Sequence, residues 1–318
     1  MKAITFKKYG PPEVLHLNQV TKSIPKDNEV LIRIFATAVN SGDIRLRKAD
    51  PWAVRLFLGL TKPKINILGG VLSGEIESIG KNVTKFKIGE EVFGATGMSF
   101  GAYADYKCLP ENGILALKPA NITHLQAATI PFGAITALYF LKKAGFKYGQ
   151  KVLIYGASGA VGSAAVQLAK FFGTDVTGVC STSNIGLVKS LGANKVIDYT
   201  KEDFTTHGDT YDVIFETVNK LSFSASSKSL KKNGTLILGA SGLYQQLRGV
   251  WTSKTSSQKI ISGMISQNTD DIVFLKELIE RGFYKPVVDR TYPLEQIVEA
   301  HTYAEQGHKK GNVAITVA

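Results

Sequence analysis

At 318 residues the chain exceeds the size at which one hydrophobic core usually stops growing, so two domains are expected. Its net charge of +12 could favour anionic partners, but the lysines are spread along the chain and no nucleic-acid motif accompanies them, which argues against nucleic-acid binding as the main function. Two cysteines, Cys108 and Cys180, make neither a disulfide framework nor a metal site, and a reducing cytoplasm suits them best.

The opening Met1-Lys2-Ala3-Ile4-Thr5-Phe6-Lys7-Lys8 reads as a charged strand rather than a secretory leader. Residues 3–9, 15–20, 29–39, 74–78, 91–93 and 102–109 are short strand-like runs separated by Gly- and Pro-rich turns. No α/β alternation occurs there, so residues 1–120 are predicted to form an irregular, mostly β domain. The apolar segment 52–60 is read as either a short helix or a lid. Residues 124–130 and 133–144 are helical in pattern, with Pro131 between them. From Lys151 strands and helices alternate, with strands expected at 152–155, 175–180, 195–199, 212–216 and 235–239, the spacing of a doubly wound parallel sheet. A helix at 270–281, a Pro-containing extended piece, a helix at 294–306 and a strand at 312–317 follow. The charge-free run 152–169 is marginal as a membrane span and carries three glycines plus Ser158, Ser163 and Gln167, so no membrane is expected.

The strongest local motif is the strand Val152-Leu153-Ile154-Tyr155 running into Gly156-Ala157-Ser158-Gly159-Ala160-Val161-Gly162 and then a helix, with Val161, Ala164, Ala165, Leu168 and Phe172 at helical spacing. Ala157 stands where the usual fingerprint has its first glycine. Gly159 lets backbone approach a pyrophosphate, Gly162 lets the helix pack on the strand, and the free N–H groups of the helix start face the anion, so Ser158, Gly159, Ala160 and Val161 are candidate cofactor contacts. An NAD site usually carries an acid about 20 residues further on. Here the second strand ends Gly178-Val179-Cys180-Ser181-Thr182-Ser183-Asn184, and Ser181, Thr182 and Asn184 offer donors to a 2′-phosphate instead, so NADPH is expected over NADH.

The runs MKAITFKKYGPPEVL, ATAVNSGDIRLRKAD, GEIESIGKNVTKFKIGEEVFG, FGAYADY, AATIPFGAITALYFL, GASGAVGSAAVQLAK, LGANKVIDY and GNVAITV resemble the medium-chain dehydrogenase/reductase superfamily in its zinc-free quinone-oxidoreductase-like branch, over essentially the whole length. The resemblance implies an α/β fold: a Rossmann doubly wound parallel sheet binding NADP(H) at 123–264, and a GroES-like, mostly β catalytic domain from 1–122 and 265–318, with ligands meeting between them. It further implies Asn40 and Asp43 as catalytic groups near the nicotinamide, and Thr136, Val218, Gly239, Ala240 and Ser241 lining the nicotinamide side. Tyr199 would bring its hydroxyl to the 2′-phosphate, and the sheet edge at 235–239, with the apolar stretch to Trp251, would pair a homodimer.

Zinc-dependent relatives carry a Cys near Asn40-Ser41 and a Gly-His-Glu shortly after, whereas this chain has Asn40-Ser41-Gly42-Asp43 and no His in 60–80. His16, His124, His207, His301 and His308 lack ligand-like spacing and are each read as surface residues, so no metal is expected. Val71 stands where zinc-free members usually have Asp, and Tyr103 is read as packing. The expected activity is NADPH-dependent hydride transfer to a quinone or an α,β-unsaturated carbonyl. The alternatives are a nucleotide-binding protein with a redox-sensing or interaction role, and a zinc-type alcohol dehydrogenase.

Overall fold

In a computed structural model the chain divides into two compact units, Met1–Phe132 with Asn268–Ala318, and Gly133–Gln267. The structure describes residues 1–221, 223–239 and 257–318.

The first unit begins with the antiparallel pair β1 (Lys2–Thr5) and β2 (His16–Gln19). β3 (Glu29–Val39) is followed by α1 (Ser41–Lys48) and α2 (Val54–Leu58), then β4 (Val71–Ile79), β5 (Glu91–Ala95), β6 (Tyr106–Pro110) and β7 (Ile114–Leu117). α3 (His124–Ala144) leads into the second unit. There β8 (Lys151–Tyr155), α4 (Ala160–Phe171), β9 (Asp175–Cys180), α5 (Ile185–Ser190), β10 (Lys195–Asp198), β11 (Tyr211–Glu216), α6 (Phe223–Lys228), β12 (Leu230–Leu238) and β13 (Lys259–Ile261) succeed one another. The chain returns to the first unit with α7 (Thr269–Glu280), β14 (Val288–Pro293), α8 (Ile297–Glu305) and β15 (Asn312–Thr316).

The first unit is built on a seven-stranded sheet ordered β14-β15-β3-β4-β5-β7, with β6 pairing β3. β3 is long enough, at 11 residues, to pair β4 along one edge and β15 and β6 in succession along the other. Its apolar residues feed two clusters, one around Val30, Ile32, Leu72 and Val92, the other around Ile4, Phe6, Tyr103 and Ile297.

The second unit is a parallel six-stranded sheet ordered β10-β9-β8-β11-β12-β13. The order reverses at β8, and such a switch point is where an open α/β sheet binds ligand. β8 is apolar and buried through Val152, Leu153 and Ile154, as a strand covered on both faces should be.

The sequence reading and the structure differ at several elements. Five strands were expected in the parallel sheet, and the sixth, β13, is only three residues long, too short for a pattern to register. β12 therefore lies between β11 and β13 rather than at the edge, and the apolar stretch through Trp251 expected to join the dimer contact falls outside the described residues. β7 was not anticipated, β14 falls in the Pro-containing extended piece, and residues 102–104 carry only an isolated bridge between Ala104 and Ala3. Segment 52–60 contains the short helix α2. α3 is one continuous helix through Pro131. A proline inside a helix costs about 3 kcal/mol. Ala127, Ala128, Ile130, Ala134, Ile135, Leu138 and Leu141 on this helix are all buried, and apolar burial at about 25 cal/mol per Å² outweighs that penalty. Among the described residues α3 is the one helix long and apolar enough to cross a membrane, and 72% of its apolar window is buried inside the protein.

Candidate functional site

In the second unit the anticipated cofactor residues converge on the carboxyl ends of one sheet. Gly156 to Val161 follow β8, Ser181 to Asn184 follow β9, Tyr199 follows β10, Val218 follows β11 and Gly239 follows β12. Thr136 is buried on α3, and Ala240 and Ser241 lie outside the described residues.

The turn after β8 depends on its glycines. Gly156 adopts φ +83°, and a Cβ there would lie 2.6 Å from the Val218 side chain and 2.7 Å from the Thr217 hydroxyl. A Cβ on Gly162 would lie 2.0 Å from the Gly156 carbonyl oxygen, so α4 packs on the turn as closely as backbone permits. Ala157, at the usual first-glycine position, is fully buried, and the positive φ is taken one residue earlier by Gly156. Gly159 is the N-cap of α4 and supplies no side-chain cap, and a Cβ built on it would meet only the Gly156 oxygen at 3.6 Å. The start of this 12-residue helix is therefore uncapped by a side chain and uncrowded at Gly159, the arrangement that suits an anion.

The loop after β9 is tied to this turn. The Asn184 amide nitrogen donates to the hydroxyls of Ser158 at 3.0 Å and Ser181 at 3.2 Å. Both serines thus accept through oxygen, Ser158 keeping its proton to donate elsewhere and Ser181 facing the Ser183 hydroxyl at 3.4 Å, where either can donate. Thr182 instead donates to Asp198, whose carboxylate also accepts from the Thr200 hydroxyl at 2.7 Å and N–H at 3.0 Å. These bonds, that from Thr182 foremost, hold the Asp198 carboxyl below its ordinary range. Sequence reasoning found no acid at the end of β9 and did not see that one arrives beside that loop from β10.

Tyr199 is half exposed and lines a groove of about 550 Å³ with Tyr155 and Phe204, two lysines, Lys201 and Lys220, and two acids, Glu202 and Asp203. The two lysines reach it from the loops after β10 and β11, and neither was anticipated. Glu216, at the end of β11, is buried and accepts from the N–H groups of Val218 at 2.9 Å and Lys220 at 3.1 Å, which fixes the loop that carries Val218. Burial pushes its carboxyl upward against those bonds.

In the first unit Asn40 and Asp43 form a capping box at the start of α1. The Asn40 side-chain oxygen accepts from the N–H of Gly42 at 2.9 Å and of Asp43 at 3.2 Å. The Asp43 carboxylate accepts from the N–H of Asn40 at 3.1 Å and of Gly69 at 3.0 Å. Complete burial raises the Asp43 carboxyl to about 7, against the lowering effect of those bonds and of the Tyr103 hydroxyl. The Asn40 amide nitrogen is buried without a partner, and a Cβ built on Gly70 would stand 3.5 Å from it and 3.6 Å from the Phe100 ring. A buried unpaired donor facing a small glycine hollow is where an acceptor oxygen fits.

Three sequence readings change in this unit. Tyr103 is fully buried and also engages Asp43, so it is more than packing. His301 is fully buried, not superficial, and its ring lies against Tyr103. His124 is largely covered and sits between Ser73 at 2.8 Å and Glu91 at 3.1 Å. Val71 is buried in β4 and its carbonyl accepts from the Thr37 hydroxyl, so the place of the usual Asp is filled by core. No group of three or more His, Cys, Asp or Glu suited to a metal occurs among the described residues.

A dinucleotide-type parallel sheet with an anion-ready helix start, joined to a β-rich unit that carries a buried amide donor, defines a two-domain oxidoreductase fold. The profile of the alcohol dehydrogenase GroES-like domain matches residues 26–119, and that of zinc-binding dehydrogenase matches 191–315. A 2-methylene-furan-3-one reductase of Solanum lycopersicum and an NADPH-dependent alkenal/one oxidoreductase of Arabidopsis thaliana are each 32% identical over 328 residues, spanning 99% of this chain and 79% of the relative. A quinone oxidoreductase from Coxiella burnetii superposes with a TM-score of 0.89 at 30% identity, covering 100% of this chain and 99% of that one. The chain belongs to the medium-chain dehydrogenase/reductase superfamily, in its quinone-oxidoreductase-like branch.

Proposed function

We propose that this protein is an NADPH-dependent reductase of quinones and α,β-unsaturated carbonyls that works without a metal, the first unit acting as catalytic domain and the second holding the cofactor. The observation that carries the reading is the unpartnered Asn40 amide in a chain of this family whose α4 starts on an open glycine turn. The names of the Arabidopsis and Coxiella relatives support the cofactor and the acceptor class.

Bound NADPH would supply the hydride. The N–H groups of Ala160 and Val161, with Ser158 and Gly159, would hold the pyrophosphate. Thr136, Val218, Gly239, Ala240 and Ser241 would line the nicotinamide side. The Ser181 hydroxyl, which also lies 3.4 Å from that of Ser183, and the Tyr199 hydroxyl would bind the 2′-phosphate, with Lys201 and Lys220 in the same groove as the acids Glu202 and Asp203. Asn40 would donate to the acceptor's carbonyl oxygen, where negative charge grows as hydride arrives. Quinones and enones are already electrophilic, so that donor would suffice for hydride addition, and a proton from solvent would complete the reduction. The residues that stand in the zinc positions, Asn40 first among them, do not suit that ion, and no step is drawn through it.

Each hydrogen bond to the charged phosphate contributes about 1.5–3 kcal/mol, roughly a ten- to hundredfold preference. Fluorescence titration should give a lower Kd for NADPH than for NADH, and Ser181→Asp should weaken NADPH at least tenfold. Equal constants for the two cofactors would remove the 2′-phosphate assignment. Turnover of a 1,4-quinone should survive prolonged chelation; its loss together with a stoichiometric zinc would overturn the metal-free reading. β13, one of the two outer strands of the parallel sheet among the described residues, is where a two-fold partner would pair in a homodimer. Light scattering should then report twice 34.4 kDa, and a monomer mass would count against it. A reducing cytoplasm suits the two free cysteines.

A further inference from the structure

Behind Asn40 a chain of buried polar groups crosses the first unit. Asp43 and Arg47 come from α1, Tyr103 from the segment before β6, and His301 and Glu305 from α8. Asp43, Arg47, Tyr103 and His301 are each 0% exposed. Groups so deeply buried must find partners inside the protein, so their hydrogen-bond directions are fixed by what each can donate or accept.

Arg47 settles the first direction. Its Nε lies 3.3 Å from His301 Nδ1, and its other nitrogens reach the Gly10 carbonyl and the Glu305 carboxylate. A guanidinium only donates, so Nδ1 accepts. Burial first, then the Arg47 charge, pushes the His301 ring down to about 3, and the neutral ring carries its single proton on Nε2. Nε2 stands 3.2 Å from the Tyr103 hydroxyl oxygen and donates to it. The phenol proton is thereby turned away from the ring and left for Asp43, the neighbouring carboxyl whose charge acts on Tyr103.

We propose that His301 is a positioning residue: locked by Arg47 in its Nε2–H form, it turns the Tyr103 hydroxyl to donate to Asp43, and Asp43 in turn holds the Asn40 cap with its amide nitrogen free for an acceptor's carbonyl oxygen. The last step rests on the functional reading above; the polarity of the chain does not. With the other ring tautomer, Tyr103 would have to donate to Nε2, and Asp43 would lose a donor. A protonated Asp43 still has an acceptor oxygen but a weaker one, so the Tyr103 donor favours the ionised carboxyl. The charged and titratable groups facing this line are Tyr103, Arg47 on the same helix as Asp43, His301 and Glu305 on α8, and Glu13, whose charge faces Arg47 from the short helix Pro12–Val14.

The test uses the full chain labelled with 15N in histidine and 13C in aspartate carboxyl groups. The His301 signals, identified by their absence in His301→Gln, should show the Nε2–H pattern without change between about pH 5 and pH 9. An Nδ1–H or imidazolium pattern overturns the proposal. The Asp43 carboxyl, identified by its absence in Asp43→Asn, should titrate near 7 in the parent. Tyr103→Phe keeps the ring and removes the donor, so the midpoint should rise by about one pH unit or more; an unmoved midpoint overturns the proposal as well. Neither readout needs turnover, so a protein that passes both yet reduces neither quinones nor enones refutes the functional reading alone. With turnover, the acid limb of kcat/KM should follow the same midpoint and move with it in Tyr103→Phe, while the NADPH Kd stays unchanged.

Discussion

A methyl group at Gly162 and one at Gly159 would have opposite consequences, though the two glycines are three residues apart in one motif. At Gly162 the added carbon meets the Gly156 carbonyl at 2.0 Å, and backbone must shift. Gly162→Ala should therefore lower the melting temperature, as overpacking by about 1–3 kcal/mol does, and weaken NADPH with it. At Gly159 the nearest atom is 3.6 Å away, so Gly159→Ala should melt within a degree or two of the parent while binding NADPH at least about tenfold less tightly. Thermal melts and fluorescence titrations on the pair check this, and a Gly159→Ala protein that binds normally would mean that the anion does not lie there. Asp43 gives a second residue-scale expectation. Its carboxyl is raised from 3.8 to about 7 in the folded protein, so its contribution to stability is complete below the ordinary carboxylate range and is lost as pH rises through about 7. Activity, which calls for the ionised form, should rise over the same interval. Melting scans on either side of pH 7, with Asp43→Asn as the control that removes this dependence, measure the first trend. A parent stability that rises through that interval because of Asp43 would contradict it.

At the scale of elements, what could be read ahead of the structure was whatever depends on neighbours in sequence. The strand, glycine turn and helix from Lys151 to Phe171 were legible because burial, turn and helix pattern all lie within one short stretch. The residues beyond the ends of β8, β9, β10, β11 and β12 were legible through the resemblance, which orders strands that single-sequence patterns only count. The orientation of those residues was not legible. Thr182 and Asn184 look equivalent as donors in sequence, yet one is taken up by Asp198 and the other by two serines, because the β10 end lies beside the β9 loop only in the folded sheet. His301 looked superficial for the same reason. Its partner Arg47 is 254 positions away, and no local pattern announces that a helix near one end of the chain buries an imidazole against a helix near the other. The continuity of α3 through Pro131 was missed because local propensity was allowed to outvote burial on both sides of the ring.

At the scale of the molecule, the change of pattern near residue 120 announced a second unit, only the resemblance implied that 1–122 and 265–318 belong together, and the structure divides the chain into Met1–Phe132 with Asn268–Ala318 and Gly133–Gln267. The discontinuity bears on the order in which the molecule can be assembled during synthesis. β15 lies between β14 and β3 in the first unit's sheet, pairing parallel with one and antiparallel with the other. Until residues 312–316 leave the ribosome, β3 lacks its partner at Val39 and α8 lacks one of the strands it packs on, whereas the second unit is a single uninterrupted stretch that has already emerged. A nascent chain stopped at residue 311 should therefore show a protease-resistant core drawn from 133–267 and a first unit that is cut throughout. Equal resistance of both would mean that the early strands hold together without their last member. On this reading the protein matures from its middle outward, with the cofactor-holding half waiting, folded, for the half that carries Asn40.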